Sequence, residues 1–594
     1  MLRVFDSRTR VACKLLWSFP RSRPSIPELG KSMVGLRCMG KFMRSLGYFV
    51  ALGMYAANAT SAVELPPSET RVKIFDRVVS EIERIDGEGL PPRKNRPEEW
   101  KTTTKKLREM ARLAASPIDF GQVFRKLDAT YPNLHAQVVL DEKFDIMANR
   151  SRPRIGIRFA PEKVEAKQKR FHYRINSIET DTMKDFKEAA RPGIGDELLA
   201  INDRSMGEWS TENFLYCKFP LREQCEANIS DHFRRALLSW DWRAPLKYTL
   251  KRNERVWSIQ VPVEMPATGS KPFISSAQAQ AGDGECSADL ERYEGFNVTY
   301  KGLNICSLES SKYPGVSVLA IASFRYRDLP KESKIRSLKD EVDQFYEGYW
   351  KAKAPVTKKL IIDLIDNGGG DTPIEWYRIF YSKPFQEQYV EFRKLPELDD
   401  NRIRKDLFYD DPGKEIWFKE LRDAGVYQKI KTGAFLPTIP QFCASEDQSC
   451  AKGLFTPRPN GFKGQVRILV NEWCISTCTG FVWSLRQQLG ARTKIFGIPE
   501  SGDSAYARLF LDIYLDPSKP DGFRSEVAPR PGGSRQALPE GAILRQQVAV
   551  TRSTDASGKV ISAIPSPVDV WIPYRYRHFD ESWEAKVFKA ALNQ

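Results

Sequence analysis

Apolar residues at positions 72, 74, 75, 78, 79, 82 and 85 recur close to every 3.6 positions, which predicts a helix over 72–85. The stretches 107–113 and 120–127 continue in that style. At 131–140 the pattern changes to a turn followed by strand character. From 155 the chain reads as short strands, at 155–159 and 173–178. A Gly-rich turn at 191–196 then feeds a strand that ends in the turn dipeptide Asn202-Asp203. A helix is predicted over 234–238, and closing strands over 246–251 and 256–263. Residues 266–285 are rich in Ser, Ala, Gln and Gly and read as a linker. Beyond it strands alternate with helices: a strand at 316–324, a helix at 338–350, buried strands at 359–365 and 466–470, a helix at 481–489 and a strand at 493–496. Such alternation argues for an α/β layer with parallel strands.

The chain has 594 residues, 41% hydrophobic and 28% charged, an ordinary globular composition long enough for about three or four domains. Its net charge of +16 is unevenly spread. Residues 1–62 hold ten Lys/Arg against Asp6 and Glu28, which is +8, so the other +8 is diluted over more than 500 residues. No long basic block remains there, which excludes nucleic acid as a main partner.

Lys41 and Arg44 precede an apolar run over 46–57, and residues 57–62 offer small-residue cleavage sites, the pattern of an export signal. Met39 or Met43 is read as the working start, with an upstream extension before it. A retained membrane anchor is the alternative, although the run is short for a span. Eight cysteines follow the leader in near-neighbour pairs, which suits local disulfides in an oxidising space. The expected pairs are 217–225, 286–306 and 443–450, with 474–478 bracing the turn around Ser476. Zinc is the rival reading, but no CxxC or nearby His supports it.

Two stretches carry candidate chemistry. In Val470-Asn471-Glu472-Trp473-Cys474-Ile475-Ser476-Thr477-Cys478-Thr479-Gly480, an apolar run ends in small and hydroxyl residues before a helix. A serine there lies beside the amides of a helix N-terminus, as a nucleophile with an anionic intermediate requires. An ordinary helix-capping serine fits the same stretch. In Asp363-Leu364-Ile365-Asp366-Asn367-Gly368-Gly369-Gly370, three glycines close a buried strand and let the backbone approach a substrate.

The strand order over 150–265, with Gly195-Asp196-Glu197-Leu198-Leu199-Ala200-Ile201-Asn202, resembles a PDZ domain. Such domains take extended peptides by strand addition, and the resemblance makes Ile155, Gly156 and Ile157 the peptide-binding loop. A spacer without ligand is the alternative. The whole of residues 100–594 resembles the tail-specific, C-terminal processing serine peptidases: a strand ending in Asp363-Leu364 through Asn367, Gly369 and Gly370, then Ser476, then Gly497-Ile498-Pro499-Glu500-Ser501-Gly502-Asp503. The closing strand and helix at the C-terminus fit as well.

Many relatives carry a lysine base where this chain has Asp503, and Lys494 does not match that place. The resemblance is therefore closer to the Ser–His, tricorn-core-like branch, whose histidine precedes a strand in an N-terminal helical segment. Leu134-His135-Ala136-Gln137-Val138 fits that place. His172 and His232 fall in the PDZ-like region, and His578 is the remaining alternative. The resemblance implies Ser476 as nucleophile, His135 as base and the amides of Gly369 and Thr477 as oxyanion donors. The resemblance also implies an acid downstream of the serine that orients His135, for which Glu540 is the candidate, with Glu500 and Asp503 as alternatives.

The expected architecture is a leader and extension (1–62), an N-terminal helical segment (63–149), a PDZ-like domain (150–265), a linker (266–285) and a serine peptidase core (286–594) with a ClpP/crotonase-like layered sheet. The expected function is a periplasmic or secreted serine endopeptidase. It acts on protein or peptide substrates through an acyl-enzyme, with PDZ-assisted peptide binding and neither metal nor organic cofactor. An inactive core serving a peptide-binding scaffold is the alternative. A carbohydrate- or envelope-binding protein has no supporting motif.

Overall fold

The computed structural model describes residues 65–594 except 87–95, 132, 146–154, 164–170, 180–185, 214–215, 222–223, 226–243, 264–289, 327–334, 387, 503–506, 529–536, 556 and 573–581. The leader, the predicted helix at 234–238, and Cys286, Asp503, His232 and His578 lie outside the described residues. Residues 64–594 form one compact unit.

The predicted N-terminal helices are α1 (Ser68–Ile85), α2 (Arg96–Leu113) and α3 (Pro117–Thr130). Pro117 opens α3 and the Ser116 hydroxyl accepts from the Asp119 amide, a regular cap. The strand that follows is β1 (Val138–Leu140). It pairs with a strand near the C-terminus, described below.

The inserted region is a six-stranded antiparallel sheet. Its strands are β2 (Ile157–Lys163), β3 (Phe171–Ile178), β4 (Glu197–Ile201), β5 (Arg204–Ser205), β6 (Leu246–Arg252) and β7 (Arg255–Val261), in the order β2-β3-β4-β6-β7 with β5 on β4. Helix α4 (Met206–Asn213) follows β5. Ile155 and Ile157 are buried in this region's own core with Tyr173, Leu198 and Tyr248.

The central sheet begins with β8 (Asn297–Lys301), β9 (Ile305–Glu309) and β10 (Val316–Ile321). Helix α5 (Leu338–Phe345) runs into a π-helical turn at Tyr346–Trp350, so the predicted helix over 338–350 changes pitch midway. Next come β11 (Lys359–Asp363), α6 (Ile374–Phe380), β12 (Tyr389–Phe392), α7 (Asn401–Phe408), α8 (Pro412–Asp423) and β13 (Ile439–Pro440). Strand β14 (Gln465–Val470) leads into α9 (Thr477–Leu489), then β15 (Thr493–Gly497), β16 (Arg508–Leu515), β17 (Phe523–Ala528), β18 (Ala542–Ala549), β19 (Thr551–Thr554), β20 (Val570–Trp571) and α10 (Trp583–Asn593).

Seven strands form the central sheet in the order β20-β15-β14-β11-β10-β9-β8, parallel from β20 to β10 and antiparallel at β9 and β8. Both faces are covered. Leu360, Ile362, Val466, Ile468 and Val470 pack with residues of α5, α6 and α9, while Ile361, Leu469 and Phe496 pack with Trp583, Val587 and Phe588 of α10. Burial on both sides is why β11 and β14 read as mostly apolar runs, with Arg467 the charged exception in β14. Two smaller sheets stand beside it, β13-β12-β19 and β1-β18-β16-β17. Among the described residues no helix is long and apolar enough to cross a membrane.

Candidate active site

The carboxyl ends of β11 and β14, neighbours in the sheet, place the Gly-rich turn and the Ser476 turn side by side. Ser476 precedes α9 with φ 61° and ψ −123°, and its side chain makes no cap hydrogen bond. An ordinary helix-capping serine has extended backbone and a hydroxyl bonded to the second or third amide of the helix. This serine does neither. It occupies a sharp strand-to-helix elbow of the kind that presents a nucleophile. Thr477 gives the first amide of α9, one of the helix-opening N–H groups that have no partner within the helix.

The elbow is tied down from several directions. The Cys474–Cys478 disulfide spans it, and both cysteines are buried. The Cys474 carbonyl accepts from the Ser501 amide (3.2 Å), the Ser501 hydroxyl (3.0 Å) and the Thr479 hydroxyl (3.0 Å). The disulfides 217–225 and 443–450 are formed as expected too. Cys306 is also disulfide-bonded, and Cys286, its expected partner, is outside the described residues.

Two asparagines lock the Gly-rich turn to the elbow. Asn367, fully buried, donates through Nδ2 to Ile321 O (2.8 Å) and accepts from the Gly369 amide (2.9 Å), while its carbonyl accepts from the Ile475 amide (3.2 Å). Asn471 accepts from the Asp366 amide (3.0 Å) and donates to the Asp366 carboxylate (2.8 Å). The Thr477 hydroxyl donates to Gly370 O at 2.9 Å. Gly369 has φ +79°, and a Cβ there would meet Ile475 O, the Ser476 Cβ (3.0 Å) and the Thr477 amide (3.1 Å). Glycine is required for this approach. One expectation changes: the Gly369 amide is already given to Asn367 Oδ1, so it serves an oxyanion only by sharing. Asp363 is not exposed chemistry either; it accepts from the Tyr293 hydroxyl (2.6 Å), Arg292 (3.2 Å) and the Ile365 amide (2.9 Å).

His135 is half-buried in the short link between α3 and β1. Asn133 Oδ1 accepts from the amides of His135 and Ala136, each at 2.8 Å, and Arg508 donates to the His135 carbonyl. The neighbouring Leu134 packs with Cys217, Phe219 and Cys225 in one cluster with Trp473, three residues before Ser476. The segments bearing His135 and Ser476 thus share one apolar cluster.

Glu540, the expected acid, is exposed and lies just before β18. Strand β1 pairs antiparallel with β18 through Val138 and Gln546, and Gln137 O accepts from the Gln547 amide at 3.1 Å, so the link bearing His135 leads directly into this pairing. Glu500, one of the alternatives, is buried: its Oε1 accepts from the Ser566 amide at 2.6 Å, and its chain neighbour Ser501 holds Cys474. His172 pairs with Glu197 (2.7 Å) on the inserted sheet, and Lys494 donates to Gln594 (3.4 Å). Among the described residues no three His, Cys, Asp or Glu are grouped to hold a metal ion. The residues that sequence reasoning missed are Asn367 and Asn471 as clamps, Arg508 on the His135 carbonyl, and the loop 217–225. Asn367 had a signal in the strand-end motif and the loop had one in its two cysteines, but neither signal said what these residues touch.

No protein-family model matches this chain, and no curated protein does. Among solved structures, mature CPAF complexed with lactacystin aligns at 12% identity over 89% of this chain and 97% of that one, with a TM-score of 0.55. Mature CPAF in another structure aligns at 12% identity over 89% and 96%, with a TM-score of 0.52. Across that span the chain has the fold of mature CPAF.

Proposed function

We propose that this chain is an exported serine endopeptidase that cleaves protein or peptide substrates through an acyl-enzyme. The observation that carries the reading is Ser476, left-handed and uncapped at the mouth of α9, with Gly369 against its Cβ. The likeness in fold to CPAF, whose solved structure holds lactacystin, supports it. Ser476 Oγ attacks the peptide carbonyl, and His135 takes the hydroxyl proton and returns it to the departing amine. Water then releases the acyl group by the same route. The Thr477 amide binds the oxyanion, with a second donor from the Gly368–Gly370 turn. An acid orients His135, with Glu540 as the candidate and the buried Glu500, whose neighbour Ser501 holds Cys474, as the alternative.

The inserted sheet fits a peptide-binding, PDZ-like role, because among the described residues β2 stands at one edge of it, where strand addition takes place. Ile155, Gly156 and Ile157 lead into that edge. The disulfides fit a periplasmic or secreted protein.

The test is hydrolysis of an unfolded polypeptide. Ser476→Ala lowers turnover by about 10³-fold or more, as removal of a nucleophile does elsewhere. His135→Ala does the same with an unchanged melting temperature. Equal survival of the substrate with wild type and Ser476→Ala would leave the inactive-scaffold reading standing. Undiminished turnover by His135→Ala would move the base elsewhere.

A further inference from the structure

The loop closed by Cys217–Cys225 belongs by sequence to the inserted region, yet its described residues reach both halves of the candidate site. Lys218, nearly buried, donates through Nζ to Ala136 O (2.7 Å), beside His135, and to Asp128 Oδ1 (2.9 Å). Phe219 meets Trp473 edge to face at 5.9 Å. Gln224, fully buried, donates through Nε2 to Pro499 O (3.0 Å) and to Glu500 O. The next residue, Ser501, holds Cys474 of the elbow. A single short loop therefore touches the base segment, the approach to the nucleophile and the segment behind the elbow.

We propose that the loop 217–225 positions His135 against Ser476, so that the inserted region completes the catalytic site. The proposal rests on the Ser476–His135 reading. Base and nucleophile come from segments some 340 positions apart, and their alignment has to hold to within about 1 Å for proton transfer. The disulfide limits how far the loop can relax, and apart from the Lys218–Asp128 pair its cited polar contacts run from side chains to backbone carbonyls, which fixes chain paths rather than single rotamers. Lys218, Phe219 and Gln224 are positioning residues. None need touch substrate.

The experiment uses the full chain with its disulfides formed. It compares Phe219→Ala, Gln224→Ala and Cys217→Ser/Cys225→Ser with wild type, and Cys443→Ser/Cys450→Ser as a disulfide control. Three quantities are read: kcat and KM on an unfolded polypeptide, the rate and pH profile of covalent labelling by a fluorophosphonate probe, and the melting temperature. Positioning predicts that kcat and the labelling rate fall together by about tenfold to a hundredfold. KM then stays within about twofold and the control keeps wild-type rates. Phe219→Leu, which keeps the apolar contact, recovers most of the loss. If Phe219→Ala does not fold, Gln224→Ala and Phe219→Leu decide. Loop variants that label and turn over like wild type overturn the proposal, as do losses that only track the unfolded fraction. If Ser476→Ala and His135→Ala are inactive while the loop variants are unaffected, the loop proposal alone fails. If Ser476→Ala labels as fast as wild type, the underlying reading fails with it.

Discussion

A serine held at φ 61° and ψ −123° stores strain of order 1–3 kcal/mol, which persists only where neighbours over-determine it. At Ser476 those neighbours are identifiable. Asn367 is the most connected of them, and removing its carboxamide leaves the Gly369 amide and Ile321 O without partners in a buried place. Asn367→Ala is expected to cost about 2 kcal/mol or more in urea unfolding and to lower turnover more than its stability loss explains. Undiminished kcat would show that the turn keeps its shape without the clamp. Glu341 makes a different prediction. Burial pushes its carboxyl above the ordinary range, against hydrogen bonds from Tyr326 and the backbone around Asn304 that favour the anion. A carboxyl whose folded pKa is raised contributes stability that is present below its unfolded pKa and is lost as pH rises through the folded value. Wild type is therefore expected to lose stability on the alkaline side of the usual glutamate range, and Glu341→Gln to flatten that slope. Urea midpoints measured at several pH values check this.

Elements set the site by where they stop. Strands β11 and β14 end level with one another, so the turn after each meets the other, and α9 begins at the elbow rather than four residues later at Phe481. The apolar pattern pointed to Phe481 because Thr477, Cys478, Thr479 and Gly480 carry little periodic signal, although they are helical. Gly369→Ala is expected to abolish activity, because its Cβ would enter the space of Ile475 O and the Ser476 Cβ; a variant with wild-type turnover would show that the two turns can move apart. The Cys474–Cys478 bridge crosses the same elbow. Cys474→Ser/Cys478→Ser is expected to lower kcat by about tenfold or more while the fold, followed by circular dichroism, persists. An unchanged kcat would assign the bridge to stability alone.

On the scale of the whole molecule, the N-terminal helices are part of the core's support. Lys73 pairs with Asp521, Arg84 with Glu397, Arg393 donates to Asp86 O, and β1 completes the sheet of β16, β17 and β18. Removal of residues 63–140 is expected to abolish cooperative thermal unfolding, whereas removal of residues 1–62 leaves it; a truncated chain that still melts cooperatively would count against this dependence. The sequence by itself determined the helix and strand pattern of the ends, the buried parallel strands, three local disulfides and the place of the serine turn. Each of these is written within a few residues, as a periodicity, a spacing or a turn chemistry. The stretch from 371 to 464, with its short helices and β12 and β13, had no helix or strand signal that was read, only the cysteine spacing at 443–450. Only the tertiary structure decided that the Ser476 hydroxyl does not cap its helix, that the Gly369 amide is already engaged, and that a loop of the inserted region joins the His135 segment to the elbow. The physical reason is that an apolar pattern reports which face of an element is buried but not against what. Partners hundreds of positions apart are chosen by packing and by the need to satisfy buried polar groups.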